Sequence, residues 1–219
     1  MKRSEINRLQ KEALKFFAKN NFSLPEWATW RPDDWKKAGG AIYEIKRRRL
    51  GWDITDFGSG DFSKQGLVLF TLRNGLQDGS AELYCEKAMI CRAGQMLPAH
   101  FHYSKTEDII NRAGGKLSLT LWNSDNKEKT SNSPVEVRID GIWRKQAAGR
   151  ELLLSPGQSI TLVPGVYHII SAKKADVLIG EVSSVNDDEK DNRFLKSTVR
   201  FMTIEEDEPI LYYLCNEYK

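Results

Sequence analysis

Nine short runs of β-forming residues, with no helical pattern between them, occupy the middle of this sequence and constrain its fold more than any other feature. The runs cover residues 66–72, 83–91, 107–112, 116–122, 135–139, 150–154, 159–163, 167–172 and 177–182. Turn-forming sequences separate several of them, including Arg73-Asn74-Gly75 and Ser155-Pro156-Gly157. Strands at this spacing without intervening helices form an antiparallel sandwich or barrel. The sequence therefore predicts an all-β core.

The first fifty residues have a helical pattern instead. From Ser4 to Phe17 the apolar residues recur every three or four positions, which is the spacing of one helix face. A second helix is predicted from Pro32 to about Arg49, because an early proline followed by carboxylates favours a helix start. We expect one structural domain in three parts: a helical extension over residues 1–65, the β core over 66–186, and a carboxy-terminal segment over 187–219 that packs on the core.

Composition argues against several classes of protein. Hydrophobic residues make up 40% of the chain and charged residues 29%, which suits a packed core rather than disorder. No apolar run approaches the roughly 18 residues that cross a bilayer, and the net charge of +3 is spread along the chain, so we expect no membrane and no nucleic-acid partner. The three cysteines form no CxxC pattern, which indicates reduced thiols and a cytoplasmic location.

The chain contains only three histidines, and their positions form a pattern with one glutamate. His100 and His102 are two residues apart, which on a strand places both imidazoles on the same face. Glu107 follows five residues later, enough for a turn and a return onto the neighbouring strand. His168 lies in a later predicted strand, just after Pro164-Gly165.

Two longer patterns surround these residues: Gly94-x5-His100-x-His102-x4-Glu107-x6-Gly114 and Gly157-x6-Pro164-Gly165-x2-His168. They resemble the two signature motifs of the cupin superfamily, and they fill every position of its usual set of metal ligands. The resemblance covers residues 94–170. It implies a double-stranded β-helix, or jelly-roll, barrel with the amino-terminal helices packed on it. It also implies one divalent metal in the barrel mouth, held by His100, His102, Glu107 and His168.

The chemistry of these ligands limits which metal ions the site can bind, but it does not determine the reaction. Three neutral imidazoles and one carboxylate suit Mn, Fe, Co, Ni or Zn. A six-coordinate ion would keep two positions open, either for adjacent oxygens of an open-chain sugar or for dioxygen and one substrate oxygen.

Three further stretches, residues 50–62, 103–112 and 180–188, resemble the D-lyxose isomerase family of cupins. Together with the amino-terminal helices, this similarity extends over most of the chain. Membership would imply conversion of D-lyxose to D-xylulose and of D-mannose to D-fructose. It would also imply Mn(II) as the preferred ion, a small-molecule sugar as the partner and a homodimer.

Aldose–ketose isomerisation moves a proton between C1 and C2 through an enediol, so a base is required. With the histidines assigned to the metal, we expect a carboxylate. Glu181, which breaks an apolar run in the last predicted strand, is the first candidate, with a solvent-facing edge position as the alternative. Glu205 and the adjacent Glu206 are the second, if the carboxy-terminal segment closes over the mouth. Lys105, two residues before Glu107, could hold or protonate a sugar oxygen.

Three other interpretations stay open at this point. A cupin dioxygenase would use the same ligands with Fe(II). A sugar-phosphate isomerase would need a phosphate-binding loop, which the motif region does not provide. A non-catalytic cupin would bind a sugar or a metal without turnover. Asp187 and Asp188 could bind sugar hydroxyls, although an acidic loop is the simpler interpretation.

Overall fold

The computed structural model describes residues 1–218 and consists mainly of β-strands after three amino-terminal helices. The helices are α1 (Arg3–Lys19), α2 (Pro32–Ala38) and α3 (Tyr43–Arg47). The strands are β1 (Gly51–Thr55), β2 (Leu67–Asn74), β3 (Tyr84–Cys91), β4 (Met96–His102), β5 (Glu107–Gly114), β6 (Leu117–Ser124), β7 (Thr130–Ser131), β8 (Val135–Ile139), β9 (Ile142–Gln146), β10 (Glu151–Leu154), β11 (Ser159–Leu162), β12 (Val166–Ala172), β13 (Val177–Ser184) and β14 (Asn192–Phe194).

The strands form two antiparallel sheets. One sheet has the order β1–β2–β3–β13–β5–β11–β8–β9. The other has the order β10–β6–β12–β4–β14, with β7 paired to β6. The largest hydrophobic cluster contains residues of both sheets, among them Ile109 and Ile160 from the first and Leu119 and Leu121 from the second. The sheets therefore face each other across one core, and the all-β prediction is confirmed.

A second hydrophobic cluster attaches α1 to the outer face of the larger sheet. The apolar face of α1, which includes Leu9 and Phe17, packs in this cluster with Trp52, Phe70 and Ile90. Strands β1 to β3 are consequently covered on both faces, and β1 is buried along its whole length. The amino-terminal helices pack on the barrel as expected. None of the helices in residues 1–218 is both long and apolar enough to cross a membrane.

The prediction of one continuous helix from Pro32 to about Arg49 is wrong. Helix α2 ends at Ala38, a 3-10 turn covers Gly39–Ile42, and α3 then begins at Tyr43. Gly39 has a φ angle of 56°, a conformation that glycine adopts without the steric cost of a Cβ atom and that ends helices. The region predicted as a helical extension also contains β1.

The nine predicted strands all exist, with ends shifted by a few residues, but five strands were missed: β1, β4, β7, β9 and β14. Strand β4 contains Pro98 and two histidines, so it lacks the apolar alternation that marks a strand. Strand β9 is exposed along most of its length and offers no buried face to recognise.

The carboxy-terminal segment is held by the barrel, where β14 pairs with β4, and by α1. Arg3 is completely buried, and its guanidinium binds the carboxylates of Glu206 and Glu217. Gln10 donates to the carbonyl of Tyr212 at 3.0 Å. Residues 187–218 thus join the amino-terminal helix to the barrel; Lys219, the last residue of the predicted segment, lies outside the described residues.

Candidate active site

The three histidines meet on two paired strands of the smaller sheet. His100 and His102 lie on β4, and β12 pairs with β4 so that His168 stands directly opposite His100. One ring nitrogen from each histidine can be chosen so that all three lie within 4.8 Å of one another. The same-face prediction for His100 and His102 agrees with this geometry.

Glu107 reaches the histidines from the opposite side of the barrel. It begins β5, which belongs to the larger sheet, so the expectation that it returns onto the strand next to β4 is wrong. Its two carboxylate oxygens lie 3.2 Å from His168 Nε2 and 3.4 Å from His102 Nε2. The barrel curvature therefore places all four residues together at one point between the sheets.

Backbone carbonyls set the orientation of two of the rings. His100 Nδ1 lies 2.8 Å from the carbonyl oxygen of Pro98, and His168 Nδ1 lies 3.0 Å from that of Val166. A carbonyl accepts a hydrogen bond, so Nδ1 carries the proton in each neutral ring and Nε2 presents a lone pair. The two Nε2 atoms are 3.1 Å apart. Two lone pairs at that distance repel each other unless a cation lies between them.

Other polar atoms of the cluster also lack a partner. Among residues 1–218, both ring nitrogens of His102 and Oε1 of Glu107 are buried without a hydrogen bond. Buried polar atoms are normally paired, so this group of atoms has the character of a ligand-binding site. Burial, reinforced by the neighbouring histidines, holds the pKa of His100 well below its usual range, and burial also lowers the pKa of His168. Neutral imidazoles are the form that binds metals, and these residues fit a divalent cation.

A row of alternating charges leads away from Glu107. Lys105 Nζ lies 2.9 Å from Glu107 Oε2 and 2.8 Å from Glu181 Oε1. Lys87 Nζ lies 3.1 Å from the same Glu181 oxygen and donates to Asn186 Oδ1 at 2.7 Å. The four charged side chains are no more than 5% exposed. Two ammonium groups thus balance two carboxylates inside the barrel.

The positive charges in this row favour the ionised form of both carboxyl groups, Glu181 and Glu107. Burial alone would raise the pKa of Glu181, but the charges of Lys105 and Lys87 hold it below its usual range. Burial likewise opposes the ionisation of Glu107, and Lys105 and His102 lower its pKa well below the usual value. Both groups are therefore carboxylates at neutral pH.

The structure brings Lys105 and Glu181 to the histidine cluster but not Glu205. The alternative of a solvent-facing edge position for Glu181 is wrong, because β13 lies between β3 and β5. The side chain of Glu205 is 66% exposed and lies 3.7 Å from Lys2 Nζ, beside α1. Glu206 binds Arg3 on the same side.

Sequence reasoning missed several residues of this region. Lys87 is a buried charged residue directly before the apolar residues 88–91 of β3, a signal of the kind that identified Glu181. Asp191 accepts hydrogen bonds from the backbone N–H groups of Ser104 and Lys105 and lies 3.7 Å from His102 Nδ1. Phe194 places its ring centroid 5.4 Å from that of His100. Neither Asp191 nor Phe194 lies in a recognisable motif.

The cluster lies in a pocket that is partly open to solvent. Apolar side chains such as Leu69, Met89 and Ile109 form one part of its wall. Charged and amide groups form the rest, among them Asn186 and Asn192. A small polar molecule with several hydroxyl groups is the kind of ligand that such a wall suits.

The structure has two facing antiparallel sheets. One sheet carries a His-x-His strand and, on the strand paired with it, a third histidine, and the opposite sheet carries a glutamate. This combination defines a cupin barrel with a potential metal centre in its interior. Comparison with known proteins narrows this class. The sequence profile of the family described as D-lyxose isomerase matches residues 1–218, and the chain belongs to that family.

Two relatives that match this chain over its full length support this family assignment. The chain is 48% identical to the D-lyxose/D-mannose isomerase of Escherichia coli O157:H7, with 100% of this chain and 99% of that protein covered. It is 45% identical to the D-lyxose/D-mannose isomerase of Serratia proteamaculans, over 100% and 98% of the two chains. The family is one of isomerases, so the chain is an enzyme of that class, and the predicted family is confirmed.

A solved structure shows the same fold at lower similarity. The L-ribose isomerase of Acinetobacter sp. DL28, solved with L-ribose, has a TM-score of 0.61 and 15% identity to this chain, over 94% of this chain and 98% of that one. At this identity the likeness concerns the fold alone, and it agrees with the cupin prediction.

Proposed function

We propose that this isomerase is a metal-dependent aldose–ketose isomerase that interconverts D-lyxose and D-xylulose, and D-mannose and D-fructose. The observation that carries the proposal is the buried group of His100, His102, His168 and Glu107 with the Glu181–Lys105 pair beside it. The names of the two full-length relatives support the choice of sugars. A homodimer stays a prediction from the family resemblance, and a cytoplasmic location stays a prediction from the cysteine pattern.

The four residues of the group would hold one divalent cation, with Mn(II) expected from the family. When bound, the cation supplies a Lewis acid that polarises a carbonyl and stabilises negative charge on adjacent oxygens. The lone pairs of the three imidazoles and the unpaired Oε1 of Glu107 are the donor atoms available for it.

Glu181 is the group that we expect to move the proton between C1 and C2. Within the described residues, all of its hydrogen bonds use Oε1, which binds Lys87 and Lys105, so Oε2 is available to the substrate. The two lysines keep the carboxylate ionised and hold its position. A positioned carboxylate of this kind can take a carbon-bound proton and return it to the neighbouring carbon.

Lys105 has a supporting task in this proposal. Burial disfavours its charge, but Glu107 and Glu181 raise its pKa above the usual value, so it is an ammonium group at neutral pH. It can donate to a sugar oxygen as negative charge develops there.

The test is product analysis with metal removed and restored. The chelator-treated protein should convert neither D-lyxose nor D-mannose, and added Mn(II) should restore the formation of D-xylulose and D-fructose. The same rates should be seen under argon, because no step consumes dioxygen. Full activity in protein shown by elemental analysis to be metal-free would refute the proposal, and turnover that requires dioxygen would favour an Fe(II) dioxygenase.

A further inference from the structure

His102 differs from the other two histidines of the cluster in how its ring is held. Nδ1 of His100 and Nδ1 of His168 each lie within hydrogen-bond distance of a backbone carbonyl. Nδ1 of His102 is buried, and among residues 1–218 it has no hydrogen-bond partner. Its Nε2 lies 3.4 Å from Glu107 Oε2 and so faces the cluster. When Nε2 binds a cation, Nδ1 must carry the proton, and a metal-binding histidine almost always donates that proton to an acceptor.

The acceptor within reach of this nitrogen is the carboxylate of Asp191. Asp191 Oδ2 lies 3.7 Å from His102 Nδ1, and the Asp191 side chain is only 8% exposed. Its one ion-pair contact within residues 1–218 is this ring. A charged N–H···O hydrogen bond is about 2.8 Å long, so a shift of about 1 Å of the ring or the carboxylate is enough to form it.

The carboxylate of Asp191 is fixed by its other contacts and keeps a free acceptor position. Oδ1 accepts from the backbone N–H and from the hydroxyl of Ser104, both at 2.7 Å. In the described part of the chain, Oδ2 accepts from the N–H of Lys105 alone, at 3.2 Å. A carboxylate oxygen has two lone pairs, so Oδ2 has one left for His102. The pairing of β14 with β4 sets Asn192 opposite His102 and thereby keeps the preceding residue, Asp191, beside the ring.

We propose that Asp191 is a positioning residue for the metal centre. When a divalent cation is bound, Asp191 Oδ2 accepts the Nδ1–H of His102, which fixes the ring with Nε2 towards the ion. Asp191 thus does for His102 what the backbone carbonyls of Pro98 and Val166 do for the other two histidines. Unlike a carbonyl, it carries a negative charge, which makes the imidazole a more basic ligand. The inference rests on the metal centre of the proposed function and not on the identity of the sugar.

The experiment observes the histidine rings by NMR in protein labelled with ¹⁵N-histidine and loaded with Zn(II), a diamagnetic ion. The chain has only three histidines, so each ring N–H can be assigned. In the wild type, His102 should carry its proton on Nδ1, and that proton should exchange slowly with water. In Asp191→Asn the amide has a single acceptor oxygen, which cannot serve both Ser104 and His102. The His102 Nδ1–H signal should then shift upfield or be lost to exchange, while the His100 and His168 signals stay in place.

Calorimetric titration with Mn(II) gives a second readout. Asp191→Asn should weaken Mn(II) binding by about 10- to 100-fold, the effect of losing an outer-shell partner of a metal ligand. Ser104→Ala is the matched control, because it removes one hydrogen bond to Asp191 Oδ1 and leaves Oδ2 beside His102. It should keep both the wild-type affinity and the wild-type His102 signal.

An unchanged His102 signal or an unchanged Mn(II) affinity in Asp191→Asn would overturn the inference. Equal losses of affinity in Asp191→Asn and Ser104→Ala would also overturn it, because Asp191 would then only hold the chain around Ser104. If Asp191→Asn does not fold, the wild-type spectrum decides, since a His102 ring protonated on Nε2, or a rapidly exchanging Nδ1 proton, contradicts the inference. A wild type that binds neither Zn(II) nor Mn(II) would overturn the metal centre as well. A wild type that binds metal in this way but does not isomerise D-lyxose would refute the proposed function and leave the role of Asp191 supported.

Discussion

Replacement of Glu181 by Gln removes the carboxylate that we place at the reacting carbons but keeps the shape of the side chain. A positioned general base contributes about 10²- to 10⁴-fold to the rate, so kcat should fall by that factor. This corresponds to roughly 2.7–5.5 kcal/mol of activation free energy. KM and the metal content should change little, because Glu181 is not one of the four proposed ligands.

The same substitution also disturbs the buried charges. Lys87 and Lys105 share Glu181 Oε1 and are no more than 5% exposed, so Glu181→Gln leaves two buried ammonium groups with one carboxylate, Glu107. Loss of one partner from a buried ion pair costs about 3–5 kcal/mol. For a chain of this length that lowers Tm by roughly 6–20 °C.

A second substitution separates the two effects. The double variant Lys87→Met/Glu181→Gln again contains one buried ammonium group and one carboxylate, so Tm should recover by at least half of the loss. The value of kcat should stay as low as in Glu181→Gln. Measurements of Tm by differential scanning calorimetry and of kcat by ketose formation would test this. If kcat recovers together with Tm, Glu181 has only a structural role and the assignment of the base is wrong.

Three further predictions concern the same interior. Lys105→Met should destabilise the protein by about 3–5 kcal/mol, since it leaves two buried carboxylates without their shared cation; an unchanged urea midpoint would contradict the charge row described above. Glu107→Gln should weaken Mn(II) binding by at least about 10- to 100-fold in calorimetric titrations, the effect of losing even an outer-shell partner of a metal ligand, because it removes the anionic ligand itself. Wild-type affinity would exclude Glu107 from the site. Burial raises the pKa of the Cys85 and Cys91 thiols to about 12, so neither should react with iodoacetamide in native protein at neutral pH. Labelling would be followed by mass spectrometry. Rapid labelling would show that the strands carrying these cysteines open.

The sequence predicted the part of the site that depends on local spacing. Residues two apart on a strand share a face, which places His100 beside His102 whatever surrounds them. The meeting of His168 with His100 depends on the pairing of β12 with β4, which lie 68 residues apart at this point. Only the similarity to the cupin motifs could indicate that pairing beforehand.

The features of the site that sequence reasoning missed are of two kinds. Some arise when the two sheets close into a barrel, and others belong to segments without regular secondary structure. Glu107 was assigned to a neighbouring strand because five residues suffice for a turn, whereas the chain crosses to the other sheet. The carboxy-terminal segment does reach the pocket, as the choice of Glu205 assumed, but it brings Arg200 there and leaves Glu205 beside Lys2. No periodic pattern marks which side chain of an irregular segment faces inward.

The claim that His100, His102, Glu107 and His168 form one catalytic metal centre is tested most directly by His168→Ala. Wild-type and variant proteins would be loaded with Mn(II) and dialysed, and metal content and conversion of D-lyxose would be measured on the same samples, with circular dichroism as the control for folding. The wild type should retain close to one ion per chain and form D-xylulose, while the folded variant should retain little metal and lose nearly all turnover. A folded His168→Ala protein that keeps both its metal and its rate would contradict the account.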